Sequence, residues 1–255
     1  MALKAREVEQ SLETIQKRLR RILDDRAPVV VERAKSMLRE SKRQWDESRR
    51  QGRRERKARP WGFSIHPSDP LRFKPTQVDG LRLRVDLSTK ARWDAEPAER
   101  PVHLGVVLRV WCLDPRIYFR EEWDASELSD TINSEVGRVM LRVHFDLANP
   151  KQPGPEYHAQ VGGKSRMEEL HWFPQALAVP RLLHMPVDLT LASELVTATF
   201  YQREFEKIRR EDSWKGSRRV SQRHLLDRYF ADALGAVRDD NKSVLETLWN
   251  VSWDE

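Results

Sequence analysis

From Val8 to Ile22 the apolar residues Val8, Leu12, Ile15, Leu19 and Ile22 follow one another at steps of 4, 3, 4 and 3. Nothing between residues 2 and 58 alternates with the period of a strand. Such spacing puts every apolar side chain on one stripe of a helix, a heptad seam sustained for two repeats. Pro28 interrupts it, with Asp24 and Asp25 just ahead. A second helix is expected to begin there, because proline's fixed φ suits a first turn. Its apolar positions are Val30, Ala34, Met37, Leu38 and Trp45. Two helices joined this closely are expected to form a hairpin or to dock on the rest of the chain. The competing expectation is homo-oligomerisation through the Val8–Ile22 seam, for which two heptads are short.

Charge separates the same segment from the rest. Residues 1–60 carry 19 Lys+Arg against 10 Asp+Glu, whereas the other 195 carry 27 against 30. The whole basic excess therefore belongs to the N-terminal quarter, as in a basic arm on a near-neutral body. It is densest at Arg49, Arg50, Arg53, Arg54, Arg56, Lys57 and Arg59, where Gly52 weakens the helix and Pro60 ends it.

Beyond residue 60 the pattern changes. Residues 61–80 read as loop, with Pro67, Pro70, Pro75 and Gly80. Leu81–Leu87 alternates strictly, Val102–Leu113 reads as a central strand, Ile117–Phe119 as a short one, and Ser126–Asn133 as a helical turn. Val139–Leu147 and Glu156–Val161 alternate on either side of Asn149-Pro-Lys-Gln-Pro-Gly154, which is turn chemistry, so they form a hairpin. Helical spacing returns in Val187–Arg210, again from Ser221 to Ala236, and after Asn241 or Ser243. Strands followed by helices define an α+β class. The expected architecture is an N-terminal helical hairpin or coiled-coil arm (1–60) and an α+β domain (61–255). That domain has a central antiparallel sheet of four to five strands with C-terminal helices packed on it.

No apolar run approaches the roughly 18 residues needed to span a bilayer. The one cysteine, Cys112, excludes an intramolecular disulfide, and the start MALKAREVEQ has no apolar leader core, so a cytoplasmic protein is expected.

Two candidate sites emerge. The Arg49–Arg59 run would attract phosphates through charge and counterion release, and guanidinium forks suit phosphate or carboxylate alike, so the expected partner is nucleic acid or an acidic protein. On the hairpin, alternation places Arg142, His144 and Asp146 on one face of the first strand and Glu156, His158 and Gln160 on one face of the second. If the apolar sides match, both sets share one side of the sheet. His144, Asp146, Glu156 and His158 are then candidate catalytic residues: imidazoles exchange protons near neutrality, and two of them with a carboxylate could hold a divalent metal. Otherwise that face is simply the wet side of an antiparallel sheet, and no cofactor is required.

Three features carry less. Gly163-Lys164-Ser165 resembles the end of a phosphate-binding loop, but the glycine required five residues earlier is His158. Trp172 and Phe173, with Arg181 and Asp188 beyond, read as an ordered loop packing on the core. Trp249 and Trp253 read as core near the chain end. The run from Arg142 to Gly163, with Pro180-Arg181 and the helix ending at Tyr201, is loosely similar to uncharacterised bacterial proteins of toxin and phage-defence loci. It has no defining motif and assigns no residue a role.

Two functions follow. The first is a non-catalytic or accessory component of a larger prokaryotic-type assembly, binding nucleic acid or an acidic partner through the basic arm. The alternative is a small nuclease or phosphodiester hydrolase using the hairpin cluster, with a divalent metal available to it.

Overall fold

Three of the five heptad-spaced residues lie in a helix and Leu19 and Ile22 in the turn after it, and all five are buried inside the chain itself. A computed structural model describes residues 3–51, 59–114, 138–147, 154–162 and 182–250. Helix α1 (Ala5–Arg18) buries Val8, Leu12 and Ile15, and Leu19 and Ile22 follow it into the same core. Helix α2 (Ala27–Arg50) starts where Asp24 Oδ1 accepts from the Arg26 and Ala27 amides at 3.0 Å each, with Pro28 in its first turn. Its buried face is Ala27, Val30, Val31, Ala34, Leu38 and Trp45. All of these belong to one cluster that includes the sheet, so the side chains that would have met a second copy lie within this one.

The sheet has eight strands, not the four to five expected. Strands β1 (Trp61–Ile65), β2 (Leu71–Arg72) and β3 (Thr76–Val78) all pair with the thirteen-residue β4 (Leu81–Trp93). Trp61 meets Trp93, Leu71 meets Leu87 and Val78 meets Leu81, so these three pieces form one interrupted edge running antiparallel to β4. Pro67, Pro70 and Pro75 fall in the two interruptions. Proline cannot donate to a ladder, which confines it to such breaks and hides the edge from a reading by alternation. From β4 the sheet continues through β5 (His103–Cys112), β6 (Arg138–Leu147), β8 (Tyr157–Val161) and β9 (Leu182–Leu183), each antiparallel to its neighbour. The expected pairing of the two hairpin strands is present as β6 with β8. The short β7 (Gly154–Pro155) pairs instead with β10 (Trp249–Asn250) near the end of the described chain.

One face of the sheet is apolar: Leu83, Val85, Leu87, Ala91 and Trp93 on β4, with Leu104, Val106, Leu108, Val110 and Cys112 on β5, are all buried against the helices. Helix α2 is clasped to β1 by Ser41, whose hydroxyl donates to Gly62 O (2.8 Å) and accepts from Gly62 N (3.0 Å). Gly62 has to be glycine, because a Cβ there would lie 2.1 Å from Ala91 O.

The long helix expected over 187–210 is two: α3 (Leu189–Phe200) and α4 (Gln202–Ile208). They part at Tyr201, whose hydroxyl donates to Lys74 O and whose ring stacks on Phe73 with centroids 5.7 Å apart. The preceding Thr197-Ala-Thr-Phe run is poor in helix propensity, so this tertiary bond costs little. Helix α5 (Asp212–Ser221), a π turn (Gln222–Leu226), α6 (Asp227–Val237) and α7 (Val244–Thr247) complete the chain. The expectations for Ile117–Phe119, Ser126–Asn133, Gly163–Ser165, Trp172, Phe173, Arg181 and Trp253 lie outside the described residues. None of the described helices is long and apolar enough to cross a membrane.

Candidate functional site

Strand register decides which polar residues meet. Asp146 faces His158, and His144 faces Gln160, across β6 and β8. Asp146 also faces Gly105, His144 faces Val107 and Arg142 faces Arg109, across β6 and β5. Arg109 in turn faces Asp86, which faces Arg72, and Arg84 faces Trp111. Directly opposed residues share a face, so the side of the sheet away from the helices carries Arg72, Arg84, Asp86, Arg109, Arg142, His144, Asp146, His158 and Gln160. Sequence reasoning finds the hairpin half of this face and misses Arg84, Asp86 and Arg109. The signals for them are the Arg-Leu-Arg-Val-Asp alternation of 82–86 and the lone charge at Arg109 in an apolar run.

This face is enclosed rather than wet. Arg84 and Arg109 are each 8% exposed, Arg142 7%, His158 5% and Asp86 2%. Asp86 Oδ1 lies 3.1 Å from Arg72 Nε and 3.7 Å from Arg84 Nε. Arg84 also sits over the Trp111 ring, 5.0 Å from its centroid, and Arg109 donates to Pro67 O at 3.2 Å. Gly105 leaves room for Asp146, since a Cβ there would lie 2.8 Å from its Oδ1.

Within the cluster, His144 Nδ1 is 3.9 Å from Asp146 Oδ2, beyond hydrogen-bond range. Burial, reinforced by Arg142, Arg109 and His158, pushes the His144 pKa down to about 4. The ring is therefore neutral at pH 7: one nitrogen donates a hydrogen bond and the other accepts, and the imidazolium form that would serve as a general acid is scarce. The fourth candidate, Glu156, precedes β8 and stands apart. Its amide donates to Leu248 O at 2.8 Å, and its carboxylate lies 3.8 Å from Arg100. It lines a small cavity with Tyr157, Arg228 and Leu248. Among the described residues no three His, Cys, Asp or Glu side chains are grouped to hold a metal ion.

The second candidate is the end of α2. Upstream, its bases are matched by carboxylates. Arg33 lies 2.5 Å from Asp69, Lys35 3.2 Å from Glu13, and Lys42 2.6 Å from Asp46 and 2.5 Å from Glu96. Arg39 pairs with Glu9, and Arg43 bridges Glu40 and Glu47 at 2.7 and 2.6 Å. Glu47 is the last carboxylate of the helix. Trp45, 4% exposed, anchors the helix end, and Arg49 lies over its ring at 5.0 Å. Arg49, Arg50 and Arg59 are exposed, and Arg53, Arg54, Arg56 and Lys57 lie outside the described residues.

These features define an α+β chain with an enclosed arginine face and a basic helix end. No family model matches the sequence, and neither a curated protein nor a solved structure matches it.

Proposed function

We propose that this protein is a non-catalytic nucleic-acid-binding component of a larger assembly, and that the Arg49–Arg59 run holds the phosphates. One observation carries the reading: past Glu47, the last carboxylate of α2, Arg49, Arg50 and Arg59 are exposed at the surface. Residues 48–60 hold seven Lys+Arg and one Glu, a net of +6 that equals the charge of the whole chain. Paired bases contribute little to a distant polyanion, whereas an uninterrupted basic run releases counterions at each phosphate it meets.

The hydrolytic alternative draws less support. Its His158 is buried, its Glu156 is beside Arg100, and its His144 lies 3.9 Å from Asp146, outside hydrogen-bond range.

The test uses the full chain, because α1 and α2 supply core residues that a 61–255 fragment would lack. Wild type is compared with a variant carrying glutamine at all seven basic positions of the run. Each is titrated with labelled single- and double-stranded DNA and RNA over a range of salt, with Mn²⁺ present. The expected result is wild-type binding with a steep salt slope that the variant loses, and intact nucleic acid throughout. Cleavage would move the function to the hairpin face. No binding by wild type at low salt would overturn the nucleic-acid reading in favour of an acidic protein partner.

A further inference from the structure

A second group of exposed bases stands at the opposite end of α2 from the Arg49–Arg59 run. Lys17, in the last turn of α1, and Arg20 and Arg21 just after it are all exposed. Tertiary contacts bring in two more. Leu23 bridges Phe73, Lys74 N donates to Ile22 O at 2.7 Å, and Asp24 N donates to Arg72 O at 3.0 Å. The backbone of 72–74 therefore lies against this turn. The Tyr201 hydroxyl donates to Lys74 O, which sets the start of α4, with Arg203, beside it. Lys74 and Arg203 are exposed too. Among the described residues none of these five bases is in an ion pair, whereas their neighbours are: Arg18 with Glu211, Arg26 with Asp69, Lys207 with Glu204 and Arg209 with Glu206. Asp24 and Asp25 keep their charges in the same turn, so five bases stand against two carboxylates and a positive excess remains.

The fold fixes how far this patch is from the run. Helix α2 spans 24 residues, and at about 1.5 Å per residue its ends are about 35 Å apart. Helix α1 runs antiparallel to it, with Glu13 on Lys35 and Glu9 on Arg39, so the residues after α1 sit at the start of α2 and the run at its end. Both helices are packed into one core, which keeps that spacing rigid. Between the ends, Arg33, Ser36, Glu40, Arg43 and Glu47 stay exposed along the helix, and the charges among them are matched by carboxylates or bases. One turn of duplex DNA is roughly 34–36 Å. A duplex laid along α2 therefore presents equivalent stretches of backbone at both ends of the helix.

We infer that Lys17, Arg20, Arg21, Lys74 and Arg203 form a second phosphate-binding patch, and that the partner is a duplex contacted one helical turn apart. This patch rests on the reading of the Arg49–Arg59 run as the first phosphate-holding element, and it specifies the class of nucleic acid. A flexible single strand has no repeat to match a rigid spacing; a duplex does.

The experiment titrates full-length protein with hairpin-closed DNA duplexes of about 8 and about 16 base pairs, shorter and longer than one turn, at about 50 mM salt. Wild type is compared with a Lys17→Gln/Arg20→Gln/Arg21→Gln variant and a Lys74→Gln/Arg203→Gln variant. All five side chains are exposed, so both variants should keep the wild-type Tm. On the short duplex the three proteins should bind alike, through the run. On the long duplex the triple variant should bind at least about tenfold more weakly than wild type and the double variant about threefold more weakly, because the second contact is lost. Equal affinity of wild type and triple variant on the long duplex, or an equal loss on both lengths, overturns the second patch and leaves the role of the run intact. Tighter binding by wild type of a single strand than of the long duplex overturns the duplex assignment. If wild type binds neither duplex, or the seven-glutamine variant of the run binds both as wild type does, the reading of the run fails and this patch falls with it.

Discussion

Arginine has opposite surroundings in two regions of this molecule. On the sheet, Arg84, Arg109 and Arg142 are buried, with Arg84 beside Asp86 and over the Trp111 ring and Arg109 donating to Pro67 O. At the end of α2, Arg49, Arg50 and Arg59 are exposed, past the last carboxylate of the helix. The first group is buried in the sheet; the second stands at the surface. Counting bases does not separate the two. What separates them is whether the fold leaves each guanidinium open to a partner from outside.

The largest expected effect sharpens that division from the exposed side. Glutamine at all seven basic positions from Arg49 to Arg59 should cost at least about a thousandfold in nucleic-acid affinity at low salt. Thermal unfolding should stay in place, since Arg49, Arg50 and Arg59 are exposed. A stability loss comparable to that of a core variant would break the comparison.

The enclosed side predicts the reverse. Asp86→Ala removes the buried carboxylate beside Arg72 and Arg84, and urea unfolding should show a loss of about 3–5 kcal/mol with nucleic-acid affinity retained in the folded fraction. A neutral outcome would mean that Asp86 does not hold the arginine face.

A pH titration of stability comes next. His144 and His224 both have folded pKa values lowered from 6.5 to about 4 by burial. Between those values the unfolded chain binds more protons than the folded one. Stability is therefore full above pH 6.5 and is lost as pH falls toward 4, on the order of 3 kcal/mol for each ring. Urea unfolding at a series of pH values measures this, and His144→Asn should flatten the slope. A flat profile in wild type would place both rings in water.

The smallest effect is expected at Arg43, which bridges Glu40 and Glu47 on the solvent side of α2. Arg43→Gln should change neither Tm nor nucleic-acid affinity measurably, because exposed ion pairs contribute little. A clear loss of binding would extend the phosphate-holding surface up the helix.

The parts of this fold that repeat regularly are legible in the sequence. The steps of 4 and 3 from Val8 mark a helix whose buried stripe is Val8, Leu12 and Ile15, with Leu19 and Ile22 buried in the turn after it, and alternation marks the first half of β4, β6 and β8 as strands. Where regularity is broken for tertiary reasons, the pattern hides the element. The β1–β3 edge is interrupted at its prolines, and Tyr201 divides α3 from α4 by reaching for Lys74 O. The candidate site is half legible for the same reason. Alternation places His144, Asp146 and His158 together, but only register across three further strands brings in Arg109, Asp86 and Arg72. Trp93 and His224 are 131 residues apart, and no local pattern connects them.

The most direct test of the division between the Arg49–Arg59 run and the helix face before it is the salt dependence of duplex DNA binding in three full-length proteins. These are wild type, the seven-glutamine variant of the Arg49–Arg59 run, and an Arg39→Gln/Arg43→Gln double variant of the paired helix face. Each phosphate neutralised contributes about 0.9 to the slope of log affinity against log salt, so losing the run should flatten it by up to roughly 6. The double variant should keep the wild-type slope. Equal flattening in both variants, or a slope that the seven substitutions leave unchanged, would contradict the assignment of the Arg49–Arg59 run as the phosphate-holding element.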